Sequence, residues 1–371
     1  MRRVIQFVPT LVPGDATGMH AMMIHKLVED RNIETKIYVE EVKKDQIGGA
    51  VRFTDYAREN RPDDILIYHF AAPSAIADFL SSRGETLAIV YHNITPAHFF
   101  EPWDQVAATG QIWARAQLSR LAARTTLALP VSKFNQEELI ELGYGKSVVV
   151  PILFDPTIFA SGSDIAVDEM LRDNRDAGRN NFLFVGRLVP NKAQHNLIAA
   201  LSAFNRIYSK DAVMHLVGRP FSKEYLYLLK EIARDLGVEK NVNFTLGVST
   251  KAISSYYRGS DAFICLSEHE GFCVPLLEAM HNDLPIAAYD SSAISETLGN
   301  AGILIQKNDP VTTAVAMEKL VSDGALREFL HRQMALQLER LSFTASRDKL
   351  YDALADLEPA FGQREAIGCQ G

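Results

Sequence analysis

The chain has 371 residues, 47% of them hydrophobic and 23% charged, which is the profile of a soluble globular protein large enough for two ordinary domains. Its formal net charge of −8, from 38 basic and 46 acidic residues, excludes a general nucleic-acid binder, which needs a basic face. The three cysteines, Cys265, Cys273 and Cys369, have no Cys-x-x-Cys zinc spacing, and so sparse and odd a set predicts a reducing, cytoplasmic setting.

The first residues, Met1 to Pro9, read as a strand and not as a signal peptide, because Gln6 and Pro9 interrupt the apolar run. No segment approaches the roughly 18 uninterrupted apolar residues of a membrane span. Strands are predicted at Val4–Val8, Thr35–Val39, Ile65–Phe70, Leu87–Tyr91, Thr126–Leu129 and Ser147–Val150, with helices at Gly18–Asp30, Ser74–Ser82, Asp104–Arg124 and Asn135–Leu142. From Asp155 to Asn180 the pattern lapses into Pro, Gly, Asp and Asn, as a linker would. The alternation then resumes. Strands are predicted at Phe182–Val185, Val213–Val217, Asn243–Leu246, Ala262–Leu266, Ile286–Ala288 and Gly302–Ile305, and helices at Ala193–Tyr208, Lys223–Leu236, Ser249–Arg258, Pro275–His281 and Val311–Ser322. Ser249 suits an N-cap. A last amphipathic helix is expected at Ser342–Leu357. Such alternation predicts two α/β domains, each a doubly wound parallel sheet covered by helices. The domains are expected at residues 1–155, joined by about 342–371, and at 156–341.

Ligands of such sheets bind beyond the carboxyl ends of the strands, so the loops there carry the chemistry. Between Leu266 and Pro275 lies a polar turn, Ser267 to Cys273, that opens a helix. A strand–turn–helix of this kind aims unpaired N–H groups and a positive dipole end at whatever sits above it, and phosphate is the usual occupant. Glu270 and Glu278 flank the turn. A carboxylate beside a phosphate is repelled, but carboxylates accept hydrogen bonds from sugar hydroxyls. A ligand built of hexose, diphosphate and ribose in series suits both features. The residues alone equally allow an ordinary helix N-terminus with two surface glutamates. Arg187 and Lys192 open another helix, where the dipole disfavours cations unless an anion lies between them. Arginine can fork onto a diphosphate and lysine can add a point charge.

Glu270-Gly271-Phe272-Cys273-Val274-Pro275-Leu276-Leu277-Glu278, with Ala279-Met280 after it, resembles the E-x7-E motif of the retaining glycosyltransferases of family four, which have the GT-B architecture. Cys273 departs from the glycine that many relatives carry there. The resemblance implies two Rossmann-like domains facing across a cleft, with the last helix crossing back to the first. It implies that Arg187 and Lys192 bind the donor diphosphate, that Glu270 holds the sugar hydroxyls, and that Glu278 holds the ribose. Gly271, Phe272 and Cys273 then contact the donor through the turn, and Gly218 and Gly247 lie in the loops that hold the nucleobase. It assigns His92, after the strand Leu87–Tyr91, to the donor sugar, although a lone histidine at a strand end also serves structure. Gly14 and Gly18 lie in the loop set against donor or acceptor. Their Gly-x-x-x-Gly spacing lacks the dinucleotide fingerprint, which argues against a nicotinamide dehydrogenase. Glu101 and Asp104 are candidates for acceptor contacts, and Ser291–Glu296 borders the site.

Ser267 to Cys273 look most like the mannosyltransferase-type members of surface-polysaccharide synthesis, and that resemblance implies transfer of a hexose, mannose from GDP-mannose as the first choice, to a saccharide or lipid-linked saccharide. A UDP-sugar donor is the alternative. The sequence contains no Asp-x-Asp, and the two cations take the place of a metal ion, so no metal and no cofactor beyond the nucleotide sugar are expected. Rival readings are a non-hydrolysing nucleotide-sugar epimerase and a catalytically idle nucleotide-sugar-binding protein. Arg115, Arg120 and Arg124 on the helix Asp104–Arg124 are candidates for peripheral contact with an anionic membrane, although a solvated helix face explains them as well.

Overall fold

The structure, a computed structural model, describes residues 2–12, 15–42, 49–208, 210–247 and 249–363. The chain divides into two compact units, Met1–Leu153 with the described part of Phe343–Gly371, and Phe154–Ser342.

The first unit holds strands β1 (Val4–Val8), β2 (Thr35–Val39), β3 (Val51–Arg52), β4 (Ile65–Phe70), β5 (Thr86–Tyr91) and β6 (Leu127–Pro130), with helices α1 (Ala16–Glu29), α2 (Ala75–Ser81), α3 (Gln105–Leu121) and α4 (Lys133–Glu141). Its sheet is parallel throughout, in the order β3-β2-β1-β4-β5-β6. Every residue of β1 and β4 is buried, as expected of parallel strands covered on both faces. Phe7, Tyr38, Tyr56, Tyr68, Phe70 and Tyr91 supply the bulk of this core. Asp15, Ser74, Asp104 and Ser132 cap the four helices through their side chains.

The second unit holds α5 (Ile165–Asp176), β7 (Asn181–Val185), α6 (Gln194–Ile207), β8 (Val213–Val217), α7 (Lys223–Asp235), β9 (Val242–Thr245), α8 (Thr250–Gly259), β10 (Ala262–Cys265), α9 (Val274–His281), β11 (Ile286–Tyr289), α10 (Ile294–Leu298), β12 (Ile303–Ile305), α11 (Pro310–Ser322) and α12 (Gly324–Arg340). The sheet order is β12-β11-β10-β7-β8-β9, again parallel. The last helix, α13 (Phe343–Leu354), belongs to the first unit. There the Tyr351 hydroxyl donates to Leu27 O at 3.2 Å, and the Arg31 guanidinium lies 4.3 Å from the Tyr351 ring centroid.

The expected fold class therefore holds, with local corrections. Ser147–Val150 is not a strand. It runs beside β6 through Val148 N–H to Ala128 O at 2.9 Å and Val150 N–H to Pro130 O at 3.0 Å, and then meets Pro151, which has no N–H to extend a ladder. The expected linker contains α5, which sequence reading missed because its single buried residue, Leu171, leaves almost no apolar period. Helix α9 begins at Val274, one residue before Pro275. Ser249 does cap α8, accepting from Ala252 N–H at 3.2 Å.

Candidate active site

In the second unit β7 and β10 are neighbours, and the chain leaves them in opposite directions, toward β8 and toward β11. This is the switch point at which doubly wound sheets bind ligands. The loop from Gly186 to Lys192 follows β7, and the turn from Ser267 to Cys273 follows β10. Backbone and side chain tie the two together. Glu268 N–H donates to Asn191 O at 2.8 Å, and Asn191 Nδ2 donates to His269 O at 3.0 Å.

Lys192 Nζ forms an ion pair with Glu270 Oε1, and the Glu270 side chain is only 8% exposed. Burial works against the Lys192 ammonium, but the Glu270 carboxylate outweighs it and holds the pKa above the ordinary lysine value. The pair is braced from a third loop. Ser292 Oγ accepts from Glu270 N–H at 2.7 Å, and Ser291 Oγ donates to Ser267 O at 2.6 Å. The expected border at Ser291–Glu296 is thus a support that fixes the glutamate.

Arg187 stands apart. It is exposed and makes no ion pair among the described residues. Cys273 occupies the left-handed region, with φ 70° and ψ 67°, and turns the chain into α9. The N–H groups of Gly271, Phe272 and Cys273 donate to no backbone or side-chain acceptor among the described residues. The turn is held from behind, where Thr297 Oγ1 donates to Phe272 O at 2.6 Å. A guanidinium without an ion pair, a shared ammonium and a set of unpartnered amides are, among the described residues, the chemistry that anion binding requires.

One helical turn along α9, Glu278 Oε2 accepts from the Tyr257 hydroxyl at 2.6 Å. Burial raises the Glu278 pKa above the ordinary carboxylate value, opposed only in part by that hydrogen bond. Tyr257 and Asn191 escaped the sequence reading, because a tyrosine on a helix or an asparagine in a loop carries no spacing signal, whereas Ser292 lay within the expected border.

The expected glycines differ in their reasons. Gly218 follows β8 with φ 155°, and a Cβ there would lie 1.9 Å from Gly186 O, so the loops after β7 and β8 meet backbone to backbone. Gly247 follows β9 with φ 72° and open space around it. Gly18 lies in the first turn of α1 in the first unit, where a Cβ would sit 3.1 Å from Thr10 O. Gly14 lies outside the described residues.

His92, in the first unit, follows β5 and is partly exposed. Its Nε2 lies 3.3 Å from His69 Nδ1 on β4, and its ring centroid lies 5.3 Å from that of His20 on α1. Burial, together with the His20 and His69 rings, holds its pKa well below the ordinary imidazole range. Asp104, a candidate for the acceptor, serves as the cap of α3 and accepts from Val106 and Ala107 N–H at 2.9 Å each, while Glu101 is exposed. The candidate membrane arginines have internal partners: Arg115 pairs with Glu138, Arg120 with Asp78, and Arg124 donates to the carbonyls of Arg83 and Glu85. Among the described residues no helix is long and apolar enough to cross a membrane. Among the described residues two groups have donor atoms close enough to hold a metal ion, namely His20, His69 and His92 in the first unit, and Cys265, Glu270 and Cys273 in the second.

Comparison with known proteins accords with this geometry. The chain is 28% identical over 244 residues to D-inositol 3-phosphate glycosyltransferase of Corynebacterium jeikeium, covering 62% of this chain and 58% of that one. It is 29% identical over 164 residues to GDP-mannose-dependent alpha-(1-6)-phosphatidylinositol monomannoside mannosyltransferase of Mycobacterium tuberculosis, covering 42% of each. The matched region thus spans about half the length of these relatives. Among solved structures, Anabaena HepE in complex with UDP and glucose superimposes with a TM-score of 0.71 at 19% identity, over 96% of this chain and all (100%) of that one. Sucrose-phosphate synthase from Thermosynechococcus elongatus gives 0.75 at 13% identity, over 97% and 100%. These likenesses show the GT-B fold. Residues 168–358, more than half of the chain, match the family described as Glycosyl transferases group 1, and the chain belongs to that family.

Proposed function

We propose that the protein is a retaining glycosyltransferase that moves a hexose, mannose from GDP-mannose as first choice, onto a saccharide or lipid-linked saccharide acceptor without a metal ion. The observation that carries this reading is the Lys192–Glu270 pair at the switch point of the second sheet, beside the free Arg187 and the unpartnered amides of Gly271 to Cys273.

As the glycosidic bond breaks, charge grows on the diphosphate. Arg187, Lys192 and the amides are donors already in place to stabilise it, which is electrostatic catalysis by preorganisation. Glu270 has a double task. Its Oε1 positions Lys192, and its Oε2, which accepts from no group among the described residues, is left for a sugar hydroxyl. The carboxylate is tolerated near a phosphate because it is already neutralised. Glu278, steadied by Tyr257, suits the ribose hydroxyls, and His92 is assigned the donor sugar. Surface-polysaccharide synthesis at the inner face of the membrane is the proposed setting.

The test is a thermal-shift screen against GDP, UDP and their sugars, followed by assay of the stabilising donor with saccharide acceptors. A ligand that binds only the folded state raises the midpoint by mass action. Stabilisation by GDP-mannose and acceptor-dependent release of GDP are expected. Response to UDP-sugars alone moves the donor assignment to the UDP alternative. An epimer formed from the donor without acceptor indicates an epimerase, and tight binding without turnover on any acceptor indicates an idle binder.

A further inference from the structure

The first unit has a switch point of its own. The chain leaves β1 toward β2 and β4 toward β5, and Gln6, His69, His20 and His92 converge there, on β1, on β4, on α1 and just after β5. His20 is 2% exposed, and neither of its ring nitrogens has a hydrogen-bond partner among the described residues. Buried polar atoms in native proteins are rarely left so, and one of these nitrogens lies within 4.8 Å of donor nitrogens of His69 and His92, where an occupant would satisfy it.

We propose that His20, His69 and His92 form a binding site for one divalent transition-metal ion of the borderline class that favours imidazole, Zn²⁺ first. One donor nitrogen from each ring lies within 4.8 Å of the others. His69 Nδ1 and His92 Nε2 are 3.3 Å apart. Two nitrogens at about 2.0–2.1 Å from a tetrahedral zinc ion lie roughly 3.3 Å apart, so this edge is already near its bound length. The outer shell is in place as well. His69 Nε2 lies 2.9 Å from Gln6 Oε1, which can only accept, so the Nε2 carries the proton and Nδ1 presents its lone pair to the cluster. His92 is partly exposed, which leaves an entry path and an open fourth position for water.

The choice over Cys265, Glu270 and Cys273 follows from charge. That cluster contains the Lys192 ammonium, bonded to Glu270, which repels a cation and occupies a ligand. The histidine cluster makes no ion pair among the described residues. The metal site does not rest on the proposed transfer and does not serve it. It has one consequence for that reaction: a metal-bound His92 is lost to the donor sugar, so Zn²⁺ would inhibit.

The full-length protein, stripped with chelator and freed of it, is titrated with Zn²⁺ by calorimetry and with Co²⁺ by visible absorption. One equivalent is expected, with cobalt bands of low coordination number and no thiolate charge-transfer band. His20→Leu and His92→Asn should each weaken Zn²⁺ binding roughly tenfold or more, and Cys273→Ser should leave it unchanged. Circular dichroism establishes that each variant is folded, and the partly exposed His92 gives the second variant should His20→Leu not fold. Absence of stoichiometric binding overturns the proposal. So does binding that survives in the folded histidine variants, or a thiolate band abolished by Cys273→Ser. These readouts need no substrate, so they stand or fall apart from the glycosyltransferase reading.

Discussion

Lys192 and Glu270 are 78 residues apart in the chain, yet their side chains form an ion pair where β7 and β10 part. The pair predicts different signatures for three alanine variants. Arg187→Ala, Lys192→Ala and Glu270→Ala should each lower turnover at least tenfold, about 1.4 kcal/mol in the barrier. Arg187 is exposed and without an ion partner among the described residues, so its loss should leave the melting midpoint unchanged. Glu270→Ala leaves a partly buried ammonium without its partner and should lower the midpoint as well. The double variant should then be less destabilised than the sum of the singles, because each single leaves a partner uncompensated. Steady-state kinetics and calorimetric melting read the two effects. Near-normal turnover in all three variants would count heavily against the site.

Glu278 provides a pH test. An ionised carboxylate accepts from ribose hydroxyls, and protonation removes that capacity. Its pKa is raised, so nucleotide affinity should begin to fall, on acidification, at a higher pH than for an ordinary glutamate. Tyr257→Phe removes the hydroxyl that lowers this pKa. The midpoint of the affinity profile should therefore move to higher pH. Calorimetric titration of the nucleoside diphosphate across pH measures both. A profile identical in wild type and Tyr257→Phe would separate Glu278 from the ribose.

Much of this was legible in the sequence, for physical reasons that also mark where it stopped. Buried parallel strands such as Ile65–Phe70 are apolar along their whole length and declare themselves. The glutamates and cations stand out because helix N-termini and phosphates make them costly without a purpose. What escaped was whatever depends on two distant loops meeting. Nothing about Tyr257 predicts Glu278 as its partner, and His92 reads as a lone residue until β4 and α1 bring His69 and His20 beside it. Short β3 and helix α5 escaped because each has too few buried residues to show a period.

Gly218 and Gly247 were singled out alike by their loops, but they should respond differently to alanine. A Cβ at Gly218 would lie 1.9 Å from Gly186 O, a backbone atom that cannot move without shifting the loop that carries Arg187. Steric overlap and a backbone region disfavoured for L-residues together should cost about 2–4 kcal/mol, and nucleotide affinity should fall with it. Gly247 has open space around it and φ 72°, so alanine there should cost only about 1 kcal/mol of backbone strain. Melting midpoints and nucleotide titration of the two variants check this. Equal destabilisation would contradict the close approach of the β7 and β8 loops.

His215, on β8, makes folding of the second unit sensitive to acid. Burial, aided by the nearby Arg179 guanidinium, lowers its pKa from 6.5 to about 4. Its Nε2 lies 3.0 Å from Asn181 Oδ1, and Asn243 Nδ2 lies 3.3 Å from Nδ1. The neutral ring, protonated on Nε2, satisfies both neighbours, whereas the charged ring would set two donors against each other. The unfolded chain takes up a proton near pH 6.5 and the folded one does not until about pH 4. The stabilising contribution is therefore complete above pH 6.5 and declines as the pH falls from there toward 4, by at most about 1.4 kcal/mol per pH unit. The carbon resonance of the His215 ring should stay unchanged on acidification from pH 7 to pH 5.5, as a midpoint near 4 requires. The gap in melting midpoint between wild type and His215→Gln, which has no titrating ring, should narrow between pH 7 and pH 5. A His215 resonance with an ordinary midpoint near 6.5 would mean that water reaches this ring in solution.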